Sequence, residues 1–262
     1  MARKGSSDVE PRILIYDIET APNLGWTWGK WEQNVLDYVQ EWYILCFAYK
    51  WLGDDDVTVV SLPQFRSAFK ADKTDDSNVV AKLHQLFTEA DIIVAHNGNS
   101  FDQKKTNARF LIHGFDPPSH YKQIDTKLVA RKHFNFNSNS LNDLGKTLGL
   151  GEKEYTGGFD TWLGCMEGDK ESWEIMTTYN AQDVRLLEQV YLRMRPWIDG
   201  HPNVALLTGR LDACPKCGSS DVTRQGYKYN RTTTVQQWKC QSCGGWASSR
   251  TSERMPLPTL VS

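Results

Sequence analysis

The sequence predicts a mixed α/β domain followed by a small four-cysteine module, and three observations carry that expectation. Short apolar runs such as Arg12-Ile-Leu-Ile-Tyr16 and Asp91-Ile-Ile-Val-Ala95 have the length of buried strands and alternate with segments of helical spacing. Four of the six cysteines form two C-x-x-C pairs near the C-terminus. The length of 262 residues suits one full domain plus at most one small one.

In chain order, residues 1–11 are polar and are expected to be a flexible N-terminus. Strand 12–16 leads to Asp17 and Glu19, and residues 21–30 read as a loop because they contain Pro, Asn and two Gly. That stretch carries Trp26 and Trp28, with Trp31 just beyond. Two further strands, 43–51 and 57–62, are joined at Gly53-Asp-Asp-Asp56, a hairpin signal. Residues 64–76 are polar and read as irregular. A helix over 77–90 is predicted from Ser77 as a cap and from Val79, Val80, Leu83, Leu86 and Phe87 at helical spacing. After strand 91–95, a helix over 101–114 stops at Gly114. Helical stretches follow at 126–134 and 140–149, then a break at Gly157-Gly158, then helix over 170–197 in two pieces or as one long bent helix.

A 40% hydrophobic content excludes disorder of the chain as a whole, and no apolar run approaches the roughly 18 residues of a membrane helix. The N-terminus is basic, but Ile13–Tyr16 is too short for a signal-peptide core, so a cytoplasmic protein is expected. The net charge of −2 conceals an asymmetry. Residues 205–262 hold 8 Lys and Arg against 3 Asp and Glu, while the rest of the chain is acidic. A basic tail on an acidic body fits a nucleic-acid-binding appendage, and equally a merely solvated tail.

Cys214-Pro-Lys-Cys217 and Cys240-Gln-Ser-Cys243 read as two knuckles of one tetrahedral zinc site. Gly218 and Gly244 follow each second cysteine, where the knuckle needs a residue tolerant of positive φ. One structural Zn²⁺ is therefore expected. Between the knuckles Arg224, Lys228, Arg231 and Lys239 interleave with Tyr227, Tyr229 and Trp238. That mixture suits either a base-stacking surface or a small ribbon core kept soluble by charge. The expected organisation is a main domain over 12–200, a linker over 201–212, the cysteine module over 213–247 and a flexible tail over 248–262.

The acidic residues carry the chemistry. Asp17 and Glu19 share one face of their strand, because side chains alternate with a period of two. Asp102 opens a helix after a buried strand, where an Asp is more often a cap. Tyr179 and Asp183 are four apart and so share a helix face. Each is weak alone; the ordered set is specific. Carboxylates converging on one site repel by about 4 kcal/mol per ionised pair at 4 Å and an effective dielectric of 20. Oxygen-only donors of this kind favour two Mg²⁺ or Mn²⁺ ions, which can clamp the attacking and leaving oxygens of a phosphodiester.

These residues make residues 12–197 resemble the DEDDy group of 3′–5′ exonucleases in the ribonuclease H-like superfamily. Asp17 and Glu19 match its first motif, Asp102 the second, Tyr179 and Asp183 the third. The stretches Ile124–Ala130 and Ser140–Leu144 also resemble this group. The pairing with a C-terminal zinc ribbon resembles exonucleases of phages and bacteria. The resemblance implies a ribonuclease H-like mixed sheet flanked by helices, cleavage from the 3′ end of DNA or RNA, and release of nucleoside 5′-monophosphates. It also implies that Tyr179 aims the attacking water, in keeping with a phenol whose ordinary pKa is near 10.

Thr20 and Phe101 adjoin the acidic positions and suit either contact with a terminal nucleotide or ordinary core packing. Asn97 suits substrate contact or a turn; His96 reads as structural. Trp26 and Trp28 suit base stacking, with burial expected for at least one. Cys46 reads as a core thiol, and Cys165 has no partner by spacing. Nucleic acid is the expected partner, with replication or repair proteins as further candidates and no membrane. Two other readings stand beside the exonuclease: a ribonuclease H-like endonuclease and a non-catalytic nucleic-acid-binding protein.

Overall fold

The computed structural model describes residues 10–31, 34–153, 156–230 and 233–252. The flexible segments expected at 1–11 and 248–262 fall largely outside these residues. The chain divides into two units, one of residues 12–191 and one formed by 192–262 with the N-terminal residues.

In the larger unit, strands β1 (Ile13–Thr20), β2 (Leu24–Trp26), β3 (Asp37–Gln40), β4 (Ile44–Trp51) and β5 (Thr58–Ser61) come first. Helices α1 (Arg66–Ala71) and α2 (Ser77–Glu89) follow, then β6 (Ile92–Ala95), α3 (Asp102–Ile112) and β7 (Lys122–Asp125). Four helices complete the run: α4 (Thr126–His133), α5 (Leu141–Leu148), α6 (Phe159–Glu167) and α7 (Lys170–Met194). Five strands form one mixed sheet in the order β5-β4-β1-β6-β7. β4 is antiparallel to β1 and β5, whereas β6 is parallel to β1 and β7. The expected mixed α/β sheet flanked by helices is the observed fold.

β1 sits at the centre of that sheet, so both its faces are covered and its apolar run is continuous. Leu14, Tyr16 and Ile18 join a core with Phe47, Val80, Leu83 and Phe87, where Tyr16 meets Phe87 edge-on at 5.1 Å between ring centroids. By strand alternation, Asp17 and Glu19 lie on the opposite face with Ile13 and Ile15. All five apolar positions read as the buried stripe of α2 are buried.

Two local readings need correction. The stretch 21–30 is not all loop: β2 pairs antiparallel with β3 as a separate two-stranded hairpin. Gly25 makes this possible, because a Cβ there would come within 2.5 Å of Val35 and 2.9 Å of the Asp37 carbonyl. Residues 66–71 form α1 within a stretch read as irregular. Of the two forms expected over 170–197, the single helix is the one observed, over Lys170–Met194 with a 3₁₀ turn at Arg195–Trp197.

In the second unit, α8 (Val204–Leu207) precedes β8 (Val222–Tyr229), β9 (Thr234–Cys240) and β10 (Trp246–Ser248), an antiparallel sheet in the order β10-β9-β8. The last strand runs to Ser248, one residue into the stretch expected as a flexible tail. Cys214, Val235 and Cys240 are its buried residues around the knuckles.

Candidate active site

β1 and α7 bring three carboxylates together. The nearest carboxylate oxygens of Asp17, Glu19 and Asp183 lie within 4.8 Å of one another. Asp17 and Glu19 extend from alternate positions of β1, whose pairing with β4 shifts register between Glu19 and Thr20. Asp183 and Tyr179 lie one turn apart on α7.

Asp102, in the first turn of α3, lies outside that 4.8 Å group but close enough to raise the pKa values of Asp17 and Glu19. Its carboxylate is 3% exposed and accepts the Ile18 backbone N–H at 3.3 Å. It is therefore not the cap of its own helix; it reaches across to the strand that carries Asp17 and Glu19.

Burial and mutual repulsion push the acids up. The Asp102 carboxyl is raised to about 7, chiefly by burial and against the pull of the Ile18 N–H. Glu19 is raised to about 8 by burial and by Asp183. Asp17 lies well above the carboxylate range through burial, then through Asp102, Glu19 and Asp183. Burial likewise raises Asp183, and the Lys153 ammonium opposes it. The Tyr179 phenol is raised by burial and by Asp183, so it is protonated at neutral pH.

Lys153 is a member of this site that sequence reasoning missed. Its Nζ donates to Asp183 Oδ2 and, at 2.9 Å, to the Tyr179 hydroxyl. Burial works against this ammonium, but Asp183 and Tyr179 outweigh it and its pKa is raised. A cation thus already stands among the acids, while Asp183 Oδ1 is buried and, among the described residues, has no hydrogen-bond donor. An orphaned carboxylate oxygen beside two further acids fits a divalent cation, for which an all-oxygen donor set is suited.

Two other positioning residues were not foreseen. Asn180 is fully buried on α7, donates its Nδ2 to Asp17 Oδ2 at 2.8 Å, and accepts the Cys46 thiol at 3.7 Å. Asp125 caps α4 through the N–H groups of Lys127 and Leu128 and also accepts the N–H of Asn97 at 3.0 Å and of Asn99 at 3.1 Å. One buried carboxylate therefore fixes the turn that leads into Asp102. Asn97 itself has φ +65°, the left-handed conformation Asn tolerates in turns. His96 is held between Thr126 (2.9 Å) and the Asn139 carbonyl (3.0 Å), and burial lowers its pKa to about 4, so it is neutral.

Of the remaining candidates, Thr20 lines an open cavity of about 520 Å³ with Trp42, Lys105, Phe159 and Trp162. Phe101 is half-exposed, and the Lys105 ammonium lies 5.2 Å from its ring centroid. Trp26 and Trp28 are both exposed, against the expectation that at least one is buried. Cys46 is fully buried, as a core thiol should be.

In the second unit the thiols of Cys214, Cys217, Cys240 and Cys243 also lie within 4.8 Å of one another. The Cys214–Cys243 and Cys217–Cys240 sulfurs are 3.8 and 3.6 Å apart. A tetrahedron with Zn–S bonds of about 2.3 Å has edges of about 3.8 Å, so the four thiols fit one such ion. Gly218 and Gly244 have φ of +77° and +74°, the conformation the knuckles require.

Residues 43–195 match the family model described as RNase_H superfamily. The chain belongs to the RNase_H superfamily. Asp17 and Glu19 precede the matched span, and it is the geometry that joins them to Asp183. A search of curated proteins returns no match. Among solved structures, the chain is similar to the family B DNA polymerase from the hyperthermophilic archaeon Pyrobaculum calidifontis, with a TM-score of 0.53 and 15% identity. The likeness covers 85% of this chain and 31% of the polymerase chain, and at that identity it speaks for the fold. No helix among the described residues is long and apolar enough to cross a membrane.

Proposed function

We propose that the protein is a metal-dependent 3′–5′ exonuclease of the DEDDy type, hydrolysing phosphodiester bonds of DNA or RNA and releasing nucleoside 5′-monophosphates. The observation that carries this reading is the convergence of Asp17, Glu19 and Asp183, with Asp102 beside them and Tyr179 one turn away. Asp17, Glu19, Asp102 and Asp183 would hold two Mg²⁺ or Mn²⁺ ions. Bound there, such ions supply charge neutralisation of the phosphate and a nucleophile available at neutral pH. Asn180 fixes the direction of the Asp17 carboxylate, and the Ile18 N–H fixes that of Asp102. Tyr179, protonated, orients the attacking water by hydrogen bonding. Lys153 balances the charge of Asp183 and Tyr179 at the same edge.

The 3′ polarity and the phage or bacterial type rest on the sequence resemblance. So do the boundaries proposed for the nuclease domain (12–200), linker (201–212) and zinc ribbon (213–247). Cys214, Cys217, Cys240 and Cys243 would hold one structural Zn²⁺. The decisive experiment is digestion of 5′-labelled and 3′-labelled DNA and RNA oligonucleotides with Mg²⁺ or Mn²⁺. Stepwise shortening from the 3′ end, abolished by EDTA, is expected. Efficient cutting of a closed single-stranded circle would replace this reading with an endonuclease, and activity indifferent to chelation would remove the metal mechanism.

A further inference from the structure

α3 turns a polar stripe inward. Asp102, Thr106, Arg109 and His113 follow at spacings of four, three and four, so they share one face of the helix. Asp102 and Thr106 are buried, and the side chains of Arg109 and His113 are 12% and 21% exposed. A core-facing stripe is normally apolar, and a buried polar group is costly unless it is bonded. The two ends of this stripe are bonded to different places. Asp102 takes the Ile18 N–H of β1 at 3.3 Å, whereas Arg109 and His113 both reach Asp76.

Asp76 has no exposed surface. It stands just before α2 but its side chain does not cap that helix; Asp75 accepts the Ser77 N–H there, at 2.9 Å. The Asp76 carboxylate is thereby free to turn inward. Its Oδ1 accepts from Arg109 Nη2 and, at 2.6 Å, from His113 Nε2, and its Oδ2 accepts the Ile44 N–H at 2.9 Å. A carboxylate oxygen only accepts, so His113 carries a proton on Nε2. Three donors fix the orientation of the group as well as its position, and charge-assisted bonds are the strong ones. Ile44 begins β4 and faces Thr20, at the register shift that follows Glu19. One buried carboxylate therefore joins β4, at the point where β1 presents Glu19, to the far end of the helix that presents Asp102.

We propose that Asp76, Arg109 and His113 are positioning residues of the acidic site, which hold the far end of α3 so that Asp102 stays beside Asp17 and Glu19 in the geometry that binds a divalent cation. The inference rests on the metal-binding reading of that cluster. Like charges push Asp102 away from the two acids of β1. The Ile18 N–H and the turn tied by Asp125 hold the helix at its first turn, and so leave the direction of its axis to the other end. Arg109 lies seven residues on, about 10 Å along the axis at 1.5 Å per residue. A rod fixed at one end can pivot; fixed at both, it cannot. Asp76 supplies the second point, and because the same carboxylate also holds Ile44, the two sides of the cluster are referred to one anchor.

The test is Mn²⁺ titration by calorimetry of the full-length protein, purified with zinc so that the four thiols are occupied, at a temperature where every variant is folded. Arg109→Met and His113→Leu should each weaken Mn²⁺ binding by about 10- to 100-fold, as loss of a group that orients a ligand does. Arg109→Lys, which keeps a donor toward Asp76, should recover most of the affinity. Val80→Ala is the control for mere destabilisation: it opens a cavity in the fully buried face of α2, away from the acids, and should lower the melting temperature while leaving Mn²⁺ affinity near the wild type. His113 is the more exposed of the two donors, so His113→Gln, which retains a side-chain donor, and His113→Leu carry the test if Arg109→Met does not fold. Wild-type affinity in folded Arg109→Met or His113→Leu, or an equal loss in Val80→Ala, would overturn the positioning role. A wild type that binds no Mn²⁺ would instead remove the metal-binding reading on which the inference rests.

Discussion

Replacing Asp102 by asparagine keeps the shape of the side chain and the acceptor for the Ile18 N–H, but removes the charge. The carboxyl is raised from the ordinary aspartate value of 3.8 to about 7, mainly by burial, and the residue is 3% exposed. A raised carboxyl pKa means that the folded protein binds the proton more tightly than the unfolded chain. The stability it confers is complete below about pH 4 and is lost as pH rises through about 7. Relative to acid pH, folding therefore loses about 4 kcal/mol by pH 8, where the folded carboxyl is ionised, and about 2 kcal/mol by pH 5, where it is still protonated but that of the unfolded chain is not. Asp102→Asn should thus stabilise the metal-free protein at pH 8, by about 8–16 °C in Tm for a unit of this size, and by roughly half as much at pH 5. The assay is thermal melting followed by tryptophan fluorescence in EDTA at both pH values, repeated with Mn²⁺. The metal should raise the melting temperature of the wild type more than that of the variant, and nuclease activity of the variant should be nearly absent. A variant that melts below the wild type at pH 8, or whose gain is the same at both pH values, would refute the claim that burying this carboxylate opposes folding.

Tyr179→Phe should lower the single-turnover rate by about 10²–10⁴-fold while leaving Mn²⁺ affinity, measured by calorimetry, close to the wild type. Asn180→Ala should weaken metal affinity or activity by about 10–100-fold, as removal of a group that orients a ligand does, and an unchanged Mn²⁺ titration together with unchanged activity would show that Asp17 needs no such support. Cys217→Ser should release zinc, detected by a colorimetric chelator, and unfold residues 213–247, since structural zinc contributes about 10–16 kcal/mol in such small modules. Melting of residues 12–191 should persist, and weaker oligonucleotide binding with a shallower salt dependence would show that the ribbon contacts phosphates.

Much of this arrangement is readable in the chain, for physical reasons that differ between elements. β1 and α2 show because burial on two faces, or on one stripe, leaves a run or a period that other forces do not imitate. The four thiols show because a knuckle is local: two residues between ligands and a glycine after them define it. Asp17 with Glu19 and Tyr179 with Asp183 are each close in sequence, so strand and helix geometry bring them onto one face. Lys153, and the part Asp125 plays within the stretch 124–130, escape notice for the opposite reason. Lys153 meets Asp183 across 30 residues, and Asp125 takes N–H groups from a turn 26 and 28 residues away. Nothing local distinguishes Lys153 from the other charged residues of the chain, and nothing local in Asp125, a helix cap, announces the second turn it holds. The β2–β3 hairpin reads as loop because its strands span three and four residues and its glycine works through close packing against the return strand.

The site also explains why its surroundings are so firmly fixed. Ionised carboxylates at about 4 Å repel by about 4 kcal/mol per pair at an effective dielectric of 20, and burial adds to that cost. Left to itself such a cluster would splay apart. β1 prevents this at Asp17 and Glu19, because it is the central strand and its apolar side chains are locked into a filled core. Asp102 is restrained from two directions, by the Ile18 N–H ahead of it and by the turn that Asp125 ties down behind it. Asp183 is carried on a helix of 25 residues, whose neighbouring Asn180 is itself bonded to Asp17. The framework thus holds the acids closer than their charges favour, and Lys153 offsets only part of the repulsion. The remainder is available to a bound cation, whose affinity grows by whatever repulsion it relieves. The unfavourable pKa shifts and the expected divalent metal binding are two readings of one electrostatic fact.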